Sequence, residues 1–202
     1  MSTTPTLLSL QSSLFSHDGQ SSRLAARFVA AWRERHPDGT VIERDLAREP
    51  VPHLDAERFQ AFLAAPEART PAQAAVVADS DALIDEWRRA DAVAIALPTY
   101  NFGIPSTLKA YFDHLARAGV TFRYTENGPV GLLGARPVHL FVARGGVLAA
   151  GSDHQTPYVR QFLAFLGMTE VNVVHAEGLA LGEAQRDAAL AEAGRRIDRL
   201  AA

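Results

Sequence analysis

Three short stretches of this sequence carry residue types that could hold a ligand. The first, Gln11-Ser12-Ser13-Leu14-Phe15-Ser16-His17-Asp18-Gly19-Gln20-Ser21-Ser22, is rich in hydroxyls and runs into a helical pattern. Its hydroxyls and the free N–H groups of a first helical turn would converge on one point, where a helix N-terminus favours negative charge. The stretch contains no Lys or Arg, and neither Gly-Lys-Ser/Thr nor Gly-x-Gly-x-x-Gly occurs. A terminal phosphate held by neutral donors therefore suits it better than a polyphosphate needing Mg²⁺. A serine-rich cap on a solvated loop would use the same residues.

The second stretch, Pro98-Thr99-Tyr100-Asn101-Phe102-Gly103-Ile104-Pro105-Ser106, sets two aromatics, an amide and a glycine between two prolines. A flat heteroaromatic ring needs a planar face to pack on and hydrogen bonds along its edge, and these residues offer both. The third, Ala143-Arg144-Gly145-Gly146, has paired glycines that let backbone approach a ligand closely and turn successive N–H groups toward one charged atom. A simple turn would also use such a pair.

Other chemistries are excluded by composition. The 202 residues include no cysteine, which removes a thiolate nucleophile, a disulfide framework, a dithiol couple and an iron–sulfur site together. Redox work would need a borrowed cofactor. The seven histidines are scattered without ligand spacing, so no metal is expected, and Gly-x-Ser-x-Gly is missing. Arg195-Arg196 reads as a solvated helix face. A net charge of -3, with both signs interspersed, argues against nucleic acid or an anionic membrane as a partner. No apolar run approaches the ~20 residues of a membrane span, and the first residues lack the basic start of a leader, so a cytoplasmic location is expected.

The elements that must position these stretches follow from hydrophobic pattern. Short apolar runs at residues 6–10, 41–45, 92–97, 138–143 and 171–176 read as strands. Amphipathic segments at 20–35, 71–89, 106–116, 156–166 and 183–200 read as helices between them. Thr70-Pro71 predicts a capped start with proline in the first turn, and Pro105-Ser106 and Thr156-Pro157 resemble it. Residues 46–69, with Pro50, Pro52 and Pro66 around a helical stretch at 57–64, form a long excursion suited to packing or an interface.

This alternation predicts a single α/β domain over residues 1–202, a flavodoxin-like doubly wound five-stranded parallel sheet of order 2-1-3-4-5 with helices on both faces. The switch point then lies between the first and third strands. The three ligand-holding stretches are the loops leaving the first, third and fourth strands at that crevice.

The segment Pro98-Thr99-Tyr100-Asn101-Phe102-Gly103-Ile104-Pro105-Ser106-Thr107-Leu108-Lys109, with Tyr111-Phe112-Asp113 and Ala118-Gly119-Val120-Thr121-Phe122-Arg123-Tyr124, resembles the flavin-binding core of the FMN-dependent NADH azoreductases, also called NADH:quinone oxidoreductases. Gln20-Ser21, Arg144-Gly145-Gly146, Thr156-Pro157-Tyr158, Phe162-Leu163-Ala164-Phe165-Leu166-Gly167 and Ala176-Glu177-Gly178 extend the likeness along the chain. The resemblance implies that Ser13, Gly19, Gln20 and Ser21 surround the FMN phosphate and ribityl chain. It implies further that Thr99, Tyr100, Asn101 and Phe102 flank the isoalloxazine and that Ala143, Arg144, Gly145 and Gly146 line its pyrimidine edge. Tyr124 and Phe165 match substrate-pocket positions, the second reaching the pocket from the partner subunit of a homodimer. The family often has methionine at the position of Thr99, a hydroxyl residue at that of Ala143 and serine at that of Gly19, which leaves Ser16 or Ser22 as substitute hydroxyls.

The implied activity is a ping-pong transfer in which one non-covalent FMN per subunit takes a hydride from NADH, with NADPH possible, and passes two electrons to a quinone or an aromatic azo compound. The three loops offer only His17 and Asp18 as ordinary titrating groups, so no side-chain general acid is expected. Within the same fold the alternative is a flavodoxin-like single-electron carrier that docks on protein partners. Such carriers present an acidic face, which the interspersed charge here does not suggest. A receiver-type signalling module would need acidic residues where these loops carry serines and Pro98-Thr99.

Overall fold

The computed structural model describes residues 4–201; Met1 to Thr3, part of the stretch read above for a leader, and Ala202 lie outside it. Five parallel strands, β1 (Thr6–Gln11), β2 (Thr40–Asp45), β3 (Ala92–Pro98), β6 (Val138–Ala143) and β7 (Val171–Ala176), form a sheet in the order β2-β1-β3-β6-β7. Counting only these strands, that is the expected 2-1-3-4-5. Register places Leu10 beside Ile95, and Ile95 beside Leu140, so β3 and β6 end level at Pro98 and Ala143 while β1 ends two residues short, with Gln11 beside Ala96.

The helices are α1 (Gln20–Arg35), α2 (Ala56–Leu63), α3 (Pro71–Arg89), α4 (Ser106–Leu115), α5 (Gln155–Phe165) and α6 (Glu183–Leu200). Side-chain alternation along the strands divides the core into two layers. On one face Leu8, Leu10, Val93, Ile95, Leu97 and Leu140 pack with Ile84 and Trp87 of α3, Leu108 and Phe112 of α4 and Leu163 of α5. On the other, Leu7, Ala94, Ala96 and Phe141 meet Leu24 and Phe28 of α1 and Ile197 of α6. The central strand presents large side chains to the first layer and alanines to the second, which lets α1 sit close over β3. Burial on both faces explains why β3 is continuously apolar.

Local signals set the helix ends where expected for α1, α3 and α6. Thr70 accepts a hydrogen bond from the Gln73 amide at 3.2 Å, while the Gln73 side chain accepts one from the Thr70 amide at 3.0 Å, a full capping box with Pro71 in the first turn. The other two expected caps differ. Pro105 is itself the N-cap of α4 and has no side chain to donate or accept. The α5 start is capped by Asp153, whose Oδ1 accepts from the amides of Gln155 and Thr156 at 3.0 and 3.1 Å, so Thr156 lies inside the helix. An antiparallel hairpin, β4 (Phe122–Thr125) and β5 (Gly128–Gly131), was not expected from the pattern, because of its side chains only Phe122 is buried.

In the first layer the Trp87 indole N–H donates to the Tyr111 hydroxyl at 2.7 Å, both residues having no exposed surface. Burial pushes the Tyr111 phenol well above its ordinary range, so it stays protonated. Replacing Tyr111 by phenylalanine strands the indole donor, and Tyr111→Phe is expected to lose about 1–3 kcal/mol in denaturant unfolding. A midpoint equal to the parent's would show that the pair contributes nothing.

Candidate functional site

At the carboxyl ends of β1, β3 and β6 lies a crevice of about 470 Å³, the switch point of the sheet. The loop after β1 supplies Ser13, Phe15, Asp18, Gly19, Gln20 and Ser21 to its wall, the loop after β3 supplies Pro98, Thr99 and Tyr100, and the loop after β6 supplies Ala143, Arg144 and Gly145.

The first loop is held from two sides. Asp45, at the end of β2, accepts from the Ser16 hydroxyl and from the Ala47 amide, the latter at 2.9 Å. The Tyr100 hydroxyl lies 3.4 Å from Ser13 Oγ and accepts from the Leu14 amide at 3.3 Å, so the second loop braces the first. Gly19 is the N-cap of α1. A Cβ built there would lie 2.1 Å from Ser13 Oγ, so the serine at 13 occupies the space that a side chain at 19 would need. The hydroxyls of Ser21 and Ser22 are buried in the first turn of α1 and find no partner among the described residues. Unpartnered hydroxyls at the N-terminus of a sixteen-residue helix suit a phosphate ester held by neutral donors.

The second loop is strained. Tyr100 and Gly103 exchange both backbone hydrogen bonds, at 3.1 and 3.0 Å, around a two-residue turn in which Asn101 and Phe102 have φ of 49° and 66°. Asparagine tolerates that region, whereas phenylalanine does not. The turn also holds the Phe102 ring in solvent, 73% exposed, at the rim. Backbone strain of this kind, about 1–3 kcal/mol, concentrates at ligand sites.

The third loop rests on a buried cation. The Arg144 side chain is 3% exposed; its Nη2 donates to Asp153 at 3.1 Å and its Nε lies 3.4 Å from Glu177, while Nη1 has no partner. Desolvation alone would raise the Asp153 carboxyl, but hydrogen bonds from the Thr156 hydroxyl and amide and from Arg144 outweigh it and hold it at about 2. Burial, then the Arg144 charge, pulls the His175 imidazole below its ordinary value. The carbonyls of Arg144, Gly145 and Gly146 accept from Leu179, Ala180 and Gly178 at 3.2, 2.9 and 3.0 Å, whereas the amides of Gly145 and Gly146 donate to no acceptor among the described residues. A Cβ at Gly146 would meet nothing within 4 Å. Free backbone donors facing open space are what a ring with acceptor atoms along its edge requires.

Of the residues singled out in the sequence, Ser13, Gly19, Gln20, Ser21, Thr99, Tyr100, Ala143, Arg144 and Gly145 thus line one crevice. Asn101, Phe102 and Gly146 stand at its edge rather than in its wall. Tyr124 and Phe165 are elsewhere: both pack against Phe122, the first edge-on and the second tilted, at 5.5 and 4.3 Å between ring centres, with Tyr124 75% exposed on the hairpin. Sequence reasoning missed Phe15, Asp18, Leu179 and Ala180 in the wall, and Asp153 and Gln155 behind it. The spacing Asp153-x-x-Thr156-Pro157 is a capping signal that could have found Asp153.

The sequence matches the family described as flavodoxin-like fold over residues 5–201. It is 53% identical over 194 residues, 96% of each chain, to an FMN-dependent NADH:quinone oxidoreductase of Cellvibrio japonicus. Among solved structures it superposes on an azoreductase of Bacillus anthracis with a TM-score of 0.89 at 30% identity, over 98% of both chains. A second Bacillus anthracis protein, an FMN-dependent NADH-azoreductase in complex with FMN, gives 0.86 at 26% identity over 98% of this chain and all of that one.

Asp153 makes acid stability a test of the buried cation. Its carboxyl, held at about 2 when folded against 3.8 for the free group, contributes stability that is fully present above about pH 4 and lost as the pH falls through 2. Asp153→Asn is expected to unfold at lower denaturant than the parent at pH 7, with the gap closing between pH 4 and 2. A gap constant over that window would mean that the Thr156 and Arg144 contacts do not hold the carboxylate charged.

Proposed function

This chain belongs to the flavodoxin-like family of FMN-dependent NADH:quinone oxidoreductases and azoreductases, and on that footing we propose that it binds one FMN per subunit, without a covalent bond, and uses NADH to reduce quinones and aromatic azo compounds. The observation that carries the reading is the set of donors without a partner among the described residues: the Ser21 hydroxyl and the Gly145 amide belong to residues lining the crevice, with the Ser22 hydroxyl beside the first and the Gly146 amide beside the second. When bound, FMN supplies the hydride chemistry that no side chain of a cysteine-free chain offers.

The chain's own residues bind and orient. Ser13, Gln20, Ser21 and the first-turn amides of α1, together with the backbone at Gly19, hold the phosphate and ribityl chain. Thr99, Tyr100, Asn101 and Phe102 flank the ring, with Phe15 and Leu179 excluding water beside it. The Gly145 and Gly146 amides, next to Ala143, would donate to the pyrimidine edge of the ring, and the fixed Arg144 cation behind them would favour negative charge there. Asp18 is the one carboxylate in the wall, and it is solvated, so water supplies the proton of the acceptor.

NADH, or NADPH in its place, and the acceptor would occupy the same face in turn, which is a ping-pong order. Tyr124 and Phe165, neither of which lines the crevice, would help to shape the acceptor pocket, with Phe165 reaching it from the other subunit of a homodimer. No helix among the described residues is long and apolar enough to cross a membrane, and a cytoplasmic location fits small diffusible donors and acceptors.

Purified protein reconstituted with FMN is expected to be yellow and to lose its visible band when NADH is added without oxygen. A preparation that gains no flavin absorbance overturns the cofactor assignment. Slow reduction by NADH, with fast exchange of single electrons with a protein partner, would instead identify a carrier. Initial rates at several quinone concentrations should give parallel double-reciprocal lines, and intersecting lines would exclude the shared face.

A further inference from the structure

Behind the crevice, Gln155, the first residue of α5, is 2% exposed. Its Nε2 donates to the Pro98 carbonyl at 2.7 Å, its Oε1 accepts from the Thr99 hydroxyl, and its amide donates to Asp153 at 3.0 Å. Asp153 in turn accepts from Arg144 at 3.1 Å. Gln155 thus joins the loop after β3, through its side chain, to Asp153 of the loop after β6, through its backbone N–H, beside the backbone bond from the Thr99 amide to the Ala143 carbonyl at 2.9 Å.

The orientation of the amide follows from what its partners can do. The Pro98 carbonyl can only accept, so the NH₂ end of Gln155 must face it. The remaining Oε1 can also only accept, so the Thr99 hydroxyl must give it its hydrogen. With that hydrogen committed, Thr99, which lines the crevice, offers a ligand lone pairs and no donor. A freely rotating hydroxyl would offer either.

We propose that Gln155 is a positioning residue for the cofactor: by taking the Thr99 hydrogen it makes Thr99 a fixed acceptor for an N–H on the heteroaromatic ring. The backbone N–H of the same residue bonds Asp153, the partner of the buried Arg144 cation, so the side chain is held from behind by that ion pair. This rests on the FMN assignment above and adds to it a residue that touches neither ring nor substrate.

The test titrates apoprotein with FMN, following the quenching of flavin fluorescence, for Gln155→Leu, Thr99→Val, Thr99→Ser and the double variant Thr99→Val with Gln155→Leu. Each of Gln155→Leu and Thr99→Val is expected to raise the Kd about tenfold, the loss of one hydrogen bond. The double variant is expected to be no more than about threefold worse than either, because both remove the same acceptor geometry. Thr99→Ser, which keeps the hydroxyl, is expected within about threefold of the parent. The visible band of bound flavin, which senses hydrogen bonds at the ring, should shift alike in Gln155→Leu and Thr99→Val and return in Thr99→Ser.

Independent, multiplying effects of the two substitutions, or singles within threefold of the parent, would overturn the proposal. If Gln155→Leu does not fold, Gln155→Met, which keeps the length and removes both polar ends, enters the same cycle with the same two outcomes. Parent protein that takes up no FMN overturns the underlying assignment, whereas parent that binds FMN beside unaffected variants overturns only the role of Gln155.

Discussion

A sheet whose five strands all run one way gathers every carboxyl end on one edge, and the rest of the molecule follows from that constraint. Helices must cover both faces to return the chain, so the faces are closed to ligands and the edge is the one place where backbone donors stay free. The crevice is assembled from loops that are far apart in sequence and neighbours in space, because the register ends β3 and β6 together and β1 within two residues of them.

Free loops would not hold a ligand well, and each of these three is fixed by contacts of its own. Asp45 fixes the first, a two-residue turn with paired backbone bonds fixes the second, and the buried Arg144, Asp153 and Glu177 cluster fixes the third. Tyr100 and Gln155 then join one loop to the next. Burying an uncompensated guanidinium would be severely destabilising, so the two carboxylates are a condition of having a cation there at all.

The sheet order and the three loops were legible in the sequence because both depend on local features: apolar runs of strand length, helix starts with cap and proline signals, and the position of loops relative to strands. The hairpin of β4 and β5 was not legible, since Tyr124, Val130 and Pro129 face solvent and leave no alternation to read. The α5 start was assigned to Thr156-Pro157, a reasonable local reading, but Asp153 wins the cap because it must also meet Arg144, a partner nine residues away in sequence and invisible to a local rule. Leu179 and Ala180 escaped for a similar reason: they reach the crevice by bonding to the carbonyls of Arg144 and Gly145.

The turn at Asn101 and Phe102 carries one more consequence. A phenylalanine in the left-handed region, with its ring in water, is a residue that selection for durability alone would replace by glycine or asparagine. Heat resistance is therefore cheapest to gain at the rim of the crevice, where a rigid, relaxed turn would also be the change most damaging to catalysis.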